Sequence, residues 1–424
     1  MKSTNIIILF AIFLLFSSCE DKFTREYMAN SPIYMTYDEL RSSIKQVDAQ
    51  DLAVTGKIYF KDDYIFIINP LQGIHIIDNT DPSNPINATY IEIPGCIDMA
   101  AKDDILYVDS YVDLVSLDIS DIDNIQQVDR ISDVLPYTLP PYDENYPVAL
   151  VDYELGVVIG WEVKIVREEQ NYYYYPIYYE NSLGGDFVSI SGDVANGGMG
   201  SQGVGIGGSM TRFGILDQTL YAVDNSQLNI FDISNTSDPV KKNTYYVGWN
   251  VETMFLYDDK AFFGTSNGMT IYDLTNRYAP SYISEFWHVT SCDPVVIQGE
   301  YAYITLRGGN DCGNEINALE VVSITDISSP ELVSSYPMDH PYGLGIDGNT
   351  LFVCDGESGL KIYDASDPLS IDDNIIATFP DIDAFDVIPL NNILLLIGED
   401  GLYQYSYTDL QNIELLSTIT IPLQ

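Results

Sequence analysis

The chain has few cationic residues. Among its 424 residues, 18 are Lys or Arg and 63 are Asp or Glu, which gives a formal net charge of −45. A surface of this sign repels a polyanion, so nucleic acid is excluded as a partner and anionic lipid headgroups are disfavoured. Histidine is also scarce, with three in the chain, which argues against a histidine-based catalytic metal. We predict no metal and no cofactor, with Ca²⁺ as the alternative because its ligands are oxygen atoms.

Apolar runs long enough to span a bilayer are missing as well. The apolar run at residues 6–16 follows Lys2 and is shorter than the roughly 20 residues of a transmembrane helix, but it has the length of a signal-peptide core. It ends in Phe16-Ser17-Ser18-Cys19, which resembles the lipobox of bacterial lipoproteins. This resemblance implies cleavage before Cys19 and acylation of its thiol. An ordinary secretory signal is the alternative.

The predicted signal sequence and its cleavage site determine the first domain boundaries. We predict a signal peptide over residues 1–18, a tether over 19–40 and a folded domain over 41–424. The acidic residues after Cys19 are similar to those of Bacteroidetes surface lipoproteins. The chain is therefore expected at the outer membrane, facing either the cell surface or the periplasm, with the lipid anchor as its only membrane contact.

Cysteine is sparse, with five in the chain. Cys292 and Cys312 bracket one irregular segment, and in an oxidising compartment we predict a disulfide between them, with two free thiols as the alternative. Cys96 and Cys354 lie in different repeats, and nothing in the sequence brings them together.

Helical periodicity is absent after about residue 50, and a short repeat takes its place. The repeat reads small or polar, apolar, any, apolar, apolar, Asp, as in Gly73–Asp78 and Gly359–Asp364. Its leading apolar residues are Ile74, Leu114, Leu228, Met269, Leu319, Leu360 and Leu402. Each copy follows an Asp- or Asn-rich turn and a second apolar run, and it precedes a polar corner and a further strand. Four short strands per unit of about 41 residues predict an all-β chain folded as a β-propeller.

The repeat also resembles a known family. Ile76-Ile77-Asp78, Leu117-Asp118 and Phe231-Asp232 are similar to the LVIVD repeat of secreted bacterial β-propellers. The resemblance covers nearly the whole chain after residue 50 and implies a fold without naming any chemistry. The Asp that ends each third strand is interpreted as a corner residue that accepts hydrogen bonds from nearby backbone, and not as a catalyst.

The number of blades depends on one long interval. Between Leu114 and Leu228 there is room for one enlarged copy, so we predict eight blades, with seven as the alternative. Val148–Val151 and Val157–Trp161 are the predicted strands of the hidden blade. An irregular Tyr- and Gly-rich insertion follows at about 162–210. It is either a flexible loop or, through Tyr173 and Tyr175, an aromatic platform for a sugar or a protein.

Residues just before the first strand of each blade are expected to ring one mouth of the central channel. The candidate ligand-binding residues at these positions are Asp98, Asn250, Glu252, Asp293, His340 and Asp383. Carboxylates in such a ring can hold Ca²⁺ or bind glycan hydroxyls. The bland alternative is that they are turn residues in contact with water.

From these features we predict a non-enzymatic, monomeric cell-envelope lipoprotein whose propeller binds a glycan or an envelope or extracellular protein. The runner-up is a polysaccharide hydrolase or lyase that uses carboxylates at the channel mouth. That reaction needs two carboxylates about 5–10 Å apart, one of them with a raised pKa. A third reading, a structural scaffold, requires a broad apolar patch without a pocket.

Overall fold

The computed structural model describes residues 23–53, 56–170, 206–207, 211–265, 267–287, 294–308, 316–398 and 400–421. The chain forms two compact units. The larger comprises Thr36–Pro140 and Asn181–Gln424, and the smaller comprises Met1–Met35 and Pro141–Glu180. Several predicted features lie outside the described residues: Cys19, Tyr173, Tyr175, Cys292, Asp293 and Cys312. Within the described part of the chain, no helix has the length and apolar character needed to cross a membrane.

The larger unit is a ring of seven antiparallel sheets, each a blade of four sequential strands. Blade 1 contains β3 (Ile58–Lys61), β4 (Tyr64–Asn69), β5 (Gly73–Asp78) and β6 (Ile86–Glu92). Blade 2 contains β7 (Met99–Lys102), β8 (Ile105–Ser110), β9 (Asp113–Asp118) and β10 (Gln126–Ile131). Blade 3 contains β13 (Phe213–Leu216), β14 (Thr219–Val223), β15 (Gln227–Asp232) and β16 (Val240–Tyr246). Blades 4 and 5 contain β17 (Val251–Tyr257), β18 (Lys260–Thr265), β19 (Gly268–Asp273) and β20 (Ser281–Trp287); and β21 (Val295–Gln298), β22 (Tyr301–Leu306), β23 (Ala318–Ser323) and β24 (Glu331–Pro337). Blades 6 and 7 contain β25 (Leu344–Asp347), β26 (Thr350–Cys354), β27 (Leu360–Asp364) and β28 (Ile375–Phe379); and β29 (Asp386–Leu390), β30 (Ile393–Gly398), β31 (Gly401–Ser406) and β32 (Glu414–Thr420).

Blade 1 carries two additional strands. The short α1 (Tyr37–Arg41) is closed by a capping box between Thr36 and Glu39, and it leads into β2 (Lys45–Asp48). Strand β2 pairs with β6 on the outer edge, and β12 (Ile206–Gly207) pairs with β3 on the inner edge. The outer edge of blade 1 is therefore covered by a strand that precedes the ring in sequence.

The strands of each blade alternate in direction, so the ring has two distinct faces. The connections between blades and the hairpins between second and third strands lie on one face, which we call the mouth face. The turns between first and second strands and the corners between third and outer strands lie on the opposite face, the turn face. In every blade, the pairing between the third strand and the outer strand shifts register at the same position. Examples are the shifts between Ile76 and Ile77 and between Gln404 and Tyr405.

The core lies between blades, where apolar strand residues of neighbouring sheets face each other. The central strands are buried almost throughout: β4, β8 and β14 have no exposed residue. A cluster containing Ile65, Ile77, Leu395 and Leu402 joins blade 7 to blade 1 and closes the ring. Side-chain packing thus performs the closure, and blade 7 takes all four of its strands from one stretch of chain.

The prediction of eight blades is wrong, and the alternative of seven is correct. Residues 157–161, assigned to the hidden blade, belong to β11 (Val157–Gln170) in the smaller unit. This strand pairs antiparallel with β1 (Phe23–Met35), which lies inside the segment predicted to be a tether. Val148 forms a single parallel bridge to Asn30 of β1. The apolar pattern was real, but its partner is the strand near the start of the chain.

The smaller unit is built around Asn30. Its buried side chain donates hydrogen bonds to the carbonyl oxygens of Asp143 (2.8 Å) and Tyr146 (2.7 Å). The hydroxyl of Tyr34 accepts from the N–H of Asp152 at 2.7 Å. These bonds fix the irregular segment before β11 against β1.

Candidate functional site

The mouth face carries an ionic network, which we call the mouth network: the buried residues Lys57, Asp98 and Asp109, and the half-buried Arg212. Lys57 precedes the inner strand of blade 1, Asp98 that of blade 2 and Arg212 that of blade 3. The ammonium of Lys57 pairs with the carboxylate of Asp98. The same carboxylate accepts the backbone N–H of Arg212 at 2.6 Å, so one aspartate connects three blades.

Asp109 binds the backbone next to this ion pair. Its Oδ1 accepts the backbone N–H groups of Ile97 (2.8 Å) and Asp98 (2.9 Å). Burial raises the pKa of Asp109 to about 7, because the charged form has lost its hydration. Burial likewise lowers the pKa of Lys57 and raises that of the Cys96 thiol. The carboxylates and the ammonium group of the network are therefore buried together with polar partners.

The network extends to blade 4 through backbone groups. The guanidinium Nε of Arg212 donates to the carbonyl oxygen of Glu252 at 3.2 Å, and the N–H of Met254 donates to the carbonyl of Thr211 at 2.9 Å. The structure thus brings two predicted site residues, Asp98 and Glu252, onto the same arginine. It uses Asp98 through its carboxylate and Glu252 through its main chain.

The remaining predicted residues do not join this network. Asn250 is exposed in a turn with φ of +50°. His340 is exposed, and its backbone N–H donates to the buried carboxylate of Asp355 at 2.9 Å. Asp355 also pairs with Lys361, so this part of the mouth has its own, partly buried ion pair. Asp383 is exposed.

A metal site is a further arrangement that the sequence left open. Among the residues that the structure describes, no three carboxylate, imidazole or thiol groups converge as ligands for an ion. The two described cysteines, Cys96 and Cys354, are buried thiols.

Sequence reasoning missed the exposed aromatic residues of the mouth face. Trp249 is 74% exposed, Trp287 65% and Tyr246 56%. The rings of Tyr246 and Trp249 meet edge to face with centroids 6.1 Å apart. All three lie where an outer strand ends or connects to the next blade. The signal was present, because two of the three tryptophans in the chain lie at such positions.

The class of protein that this architecture defines is the seven-bladed β-propeller. No family model and no curated protein matches the sequence. Among solved structures, the computationally designed Ika8 protein aligns with 9% identity over 88% of each chain and a TM-score of 0.49. BamB from Moraxella catarrhalis aligns with 12% identity over 90% of this chain and 95% of its own, with a TM-score of 0.48.

A further solved structure that aligns with this chain is PorZ, described as an essential bacterial surface component of the type-IX secretion system of Porphyromonas gingivalis. It aligns with 13% identity over 89% of this chain, with a TM-score of 0.45. The chain spans 39% of the length of PorZ.

Proposed function

We propose that the protein is a non-enzymatic cell-envelope lipoprotein whose mouth face binds a glycan or a protein. The observation that carries the proposal is the exposure of Trp249, Trp287 and Tyr246 on the same face as the mouth network. Exposed aromatic side chains that lie together, as Tyr246 and Trp249 do, are typical of ligand- or protein-binding surfaces. They stack on the apolar faces of sugars and are favoured anchors of protein interfaces.

The two carboxylates of the mouth network support binding over catalysis. Asp98 and Asp109 are 3% and 6% exposed, and their oxygens are used by an ammonium group and by backbone N–H groups. A carboxylate that protonates a glycosidic oxygen has to reach the substrate. A ligand at this mouth therefore meets aromatic rings and polar loop atoms before it meets either carboxylate.

A screen of the full chain against glycans and envelope proteins tests this proposal, followed by titration of each positive ligand with variants. Trp249→Ala should weaken binding by roughly tenfold or more, because buried aromatic anchors dominate such interfaces. Tyr282→Ala is the matched control, since Tyr282 is a 54% exposed aromatic at the turn-face end of its strand. Equal losses in both variants would contradict a site on the mouth face.

The alternative, a polysaccharide hydrolase or lyase, is favoured by one observation: the pKa of Asp109 is raised to about 7 beside a second carboxylate. An assay for the release of reducing or unsaturated ends from polysaccharides by the full chain tests this alternative. We expect no release. Turnover in the wild type that disappears in Asp98→Asn and Asp109→Asn would replace binding with catalysis as the function.

The location rests on the sequence at Cys19. Wild type should take up a fatty-acid analogue and sediment with membranes, and Cys19→Ala should do neither. Cys96→Ala is the control, because Cys96 is a buried thiol that no acyltransferase reaches. Unlabelled wild-type protein would end the lipoprotein assignment. Peptide mapping without reduction tests the predicted bond between Cys292 and Cys312.

A further inference from the structure

The seam between blades 1 and 2 contains a cavity of about 410 Å³ on the turn face, which we call the seam cavity. Six aspartates and a single cationic residue, Lys61, line it. Lys61 pairs with its neighbour Asp62. The cavity thus has a large excess of negative charge beside the apolar walls of Phe66 and Ile122.

The seam between blades 3 and 4 shows how the same fold positions are neutralised elsewhere in the ring. The guanidinium of Arg277 lies 2.6 Å from a carboxylate oxygen of Asp217 and 2.6 Å from one of Asp259. The ammonium of Lys242 lies 3.0 Å from the carboxylate of Asp232. Three aspartates are therefore held by two cations of the chain itself.

The three aspartates have equivalents in the seam cavity. Asp62 and Asp217 occupy the same turn position, each with φ of +54°. The carbonyl oxygens of Asp104 and Asp259 accept the N–H of the residue that follows the third strand, Ile119 at 2.8 Å and Leu274 at 2.7 Å respectively. Asp78 and Asp232 are the last residues of the third strands β5 and β15.

The two cations have no equivalents there. Arg277 lies four residues after Asp273, and the residue four after Asp118 is Ile122. Lys242 lies two residues after Val240, the partner of Asp232, and the residue two after Ile86, the partner of Asp78, is Ala88. Ile122 and Ala88 both line the cavity. The carboxylates are retained, and the two positive side chains are replaced by apolar ones.

The two seams also differ in the side chain that binds the corner carbonyl oxygen. In blade 3 the hydroxyl of Tyr221 donates to the carbonyl of Arg277 at 2.9 Å. The equivalent of Tyr221 in blade 1 is Phe66, the third residue of β4, which has no hydroxyl. The carbonyl of Ile122 is instead held by the side-chain amide of Gln46 on β2, at 2.7 Å. The additional strand of blade 1 thus fixes the corner beside the cavity.

We propose that the seam cavity is a binding site for an arginine side chain of a partner polypeptide, which takes the place that Arg277 occupies between blades 3 and 4. A guanidinium group presents several N–H donors in one plane and bridges two carboxylates, as Arg277 does here. Its aliphatic stem packs against Phe66 and Ile122. The site is on the opposite face from the exposed tryptophans, so it is independent of the function proposed above.

Titration of the full chain with N-acetyl-arginine amide, followed by NMR, tests the site. N-acetyl-citrulline amide, which has the same shape without the charge, should bind at least tenfold more weakly, because it cannot form charge-assisted hydrogen bonds with the carboxylates. Spermidine and Ca²⁺ are parallel probes. Tighter binding of either one than of the arginine probe, or no binding of the arginine probe, would overturn the proposal.

Two variants separate the seam cavity from the general negative charge of the surface. Ile122→Arg with Ala88→Lys rebuilds the cations of the other seam and should abolish arginine binding in a protein that is at least as stable. Arg277→Ile with Lys242→Ala empties the other seam and should add a second arginine site. Unchanged binding in the first variant would show that the probe binds elsewhere, and the proposal would fail.

Discussion

Asp109 is a single carboxyl group on which the connection between blades 1 and 2 depends. Its pKa of about 7 exceeds the ordinary value near 4, so between these pH values the folded state binds more protons than the unfolded state. The stability contributed by the neutral group is therefore complete below about pH 4 and is lost as the pH rises through 7. Asn at this position keeps the acceptor oxygen and carries no charge.

Asp109→Asn should therefore gain stability relative to wild type as the pH rises from 4 to 8. Thermal unfolding across this range measures the difference in Tm. Asp109→Ala is the control: it leaves the N–H groups of Ile97 and Asp98 without their acceptor and should lower stability by roughly 1–3 kcal/mol at every pH. A pH-independent difference for Asn would show that the charge on Asp109 is immaterial.

His75 has the opposite dependence. It is fully buried in β5 with its ring 4.6 Å from that of Tyr90, and burial lowers its pKa to about 4. Between pH 4 and the ordinary value of 6.5 the unfolded state binds more protons, so stability falls as the pH is lowered through this window. His75→Phe should remove roughly 2 kcal/mol of this acid loss. Denaturant unfolding at pH 4.5 and 7 would show it, and an unchanged difference between the two pH values would contradict it.

Individual residues were predictable where the repeat determines them. The corner aspartates are an example: Asp78, Asp118 and Asp232 each accept the N–H two residues later, at 2.9 Å, as the sequence indicated. The mouth network was not predictable, although Asp98 was singled out. Its partners Lys57 and Arg212 lie 41 and 114 residues away in the chain, and only ring geometry brings them together.

At the scale of the strand, the small residue that opens the repeat has a steric cause. Gly268 begins β19 with φ of +148°, and a Cβ atom there would lie 1.9 Å from the carbonyl oxygen of Phe286 on the outer strand. Gly401 begins β31 in the same way, with a distance of 2.1 Å to the carbonyl of Ile419. The backbones of the third and outer strands approach too closely here for any side chain.

Gly268→Ala should therefore lower the free energy of unfolding by roughly 2–4 kcal/mol, because backbone has to move. Gly299→Ala is the matched control: Gly299 also has a positive φ, +60°, but nothing lies within 4 Å of its Cβ position. It should cost about 1 kcal/mol. Urea unfolding of both variants measures the difference, and similar losses would mean that the contact with Phe286 is relieved easily.

The incorrect prediction of eight blades also has its cause at the scale of the strand. A run such as Val157–Trp161 predicts a strand but not its partner, because pairing is decided by which chain segments meet. Here residues 157–170 pair with residues 23–35 along the full length of both strands, with one bulge at Ile33 and Tyr34. A two-stranded ribbon and the first half of a blade have the same local sequence pattern.

At the scale of the ring, closure between blades 7 and 1 combines apolar packing with one buried polar contact. The side-chain amide of Gln404 donates to Asn79 Oδ1 at 2.6 Å, and both residues are at least 95% buried. Gln404→Leu leaves the Asn79 oxygen without this donor and should cost roughly 1–3 kcal/mol. Asn79→Leu should cost as much.

The double variant Asn79→Leu with Gln404→Leu should lose less than the sum of the two single losses, because no polar group is then left unsatisfied. Equilibrium unfolding of all four proteins gives the coupling energy. Strict additivity would show that the two side chains do not interact across the closure.

Closure by packing has a consequence for how such a ring is encoded. The four-stranded core of every blade is one uninterrupted stretch of sequence, from Ile58–Glu92 in blade 1 to Asp386–Thr420 in blade 7. The structural unit therefore coincides with one continuous segment of the gene. Duplicating a segment of about 41 codons adds a whole blade, with the corner residue at the end of its third strand already in register. Once copied, each seam is free to diverge, as the seams beside Ile122 and Arg277 have.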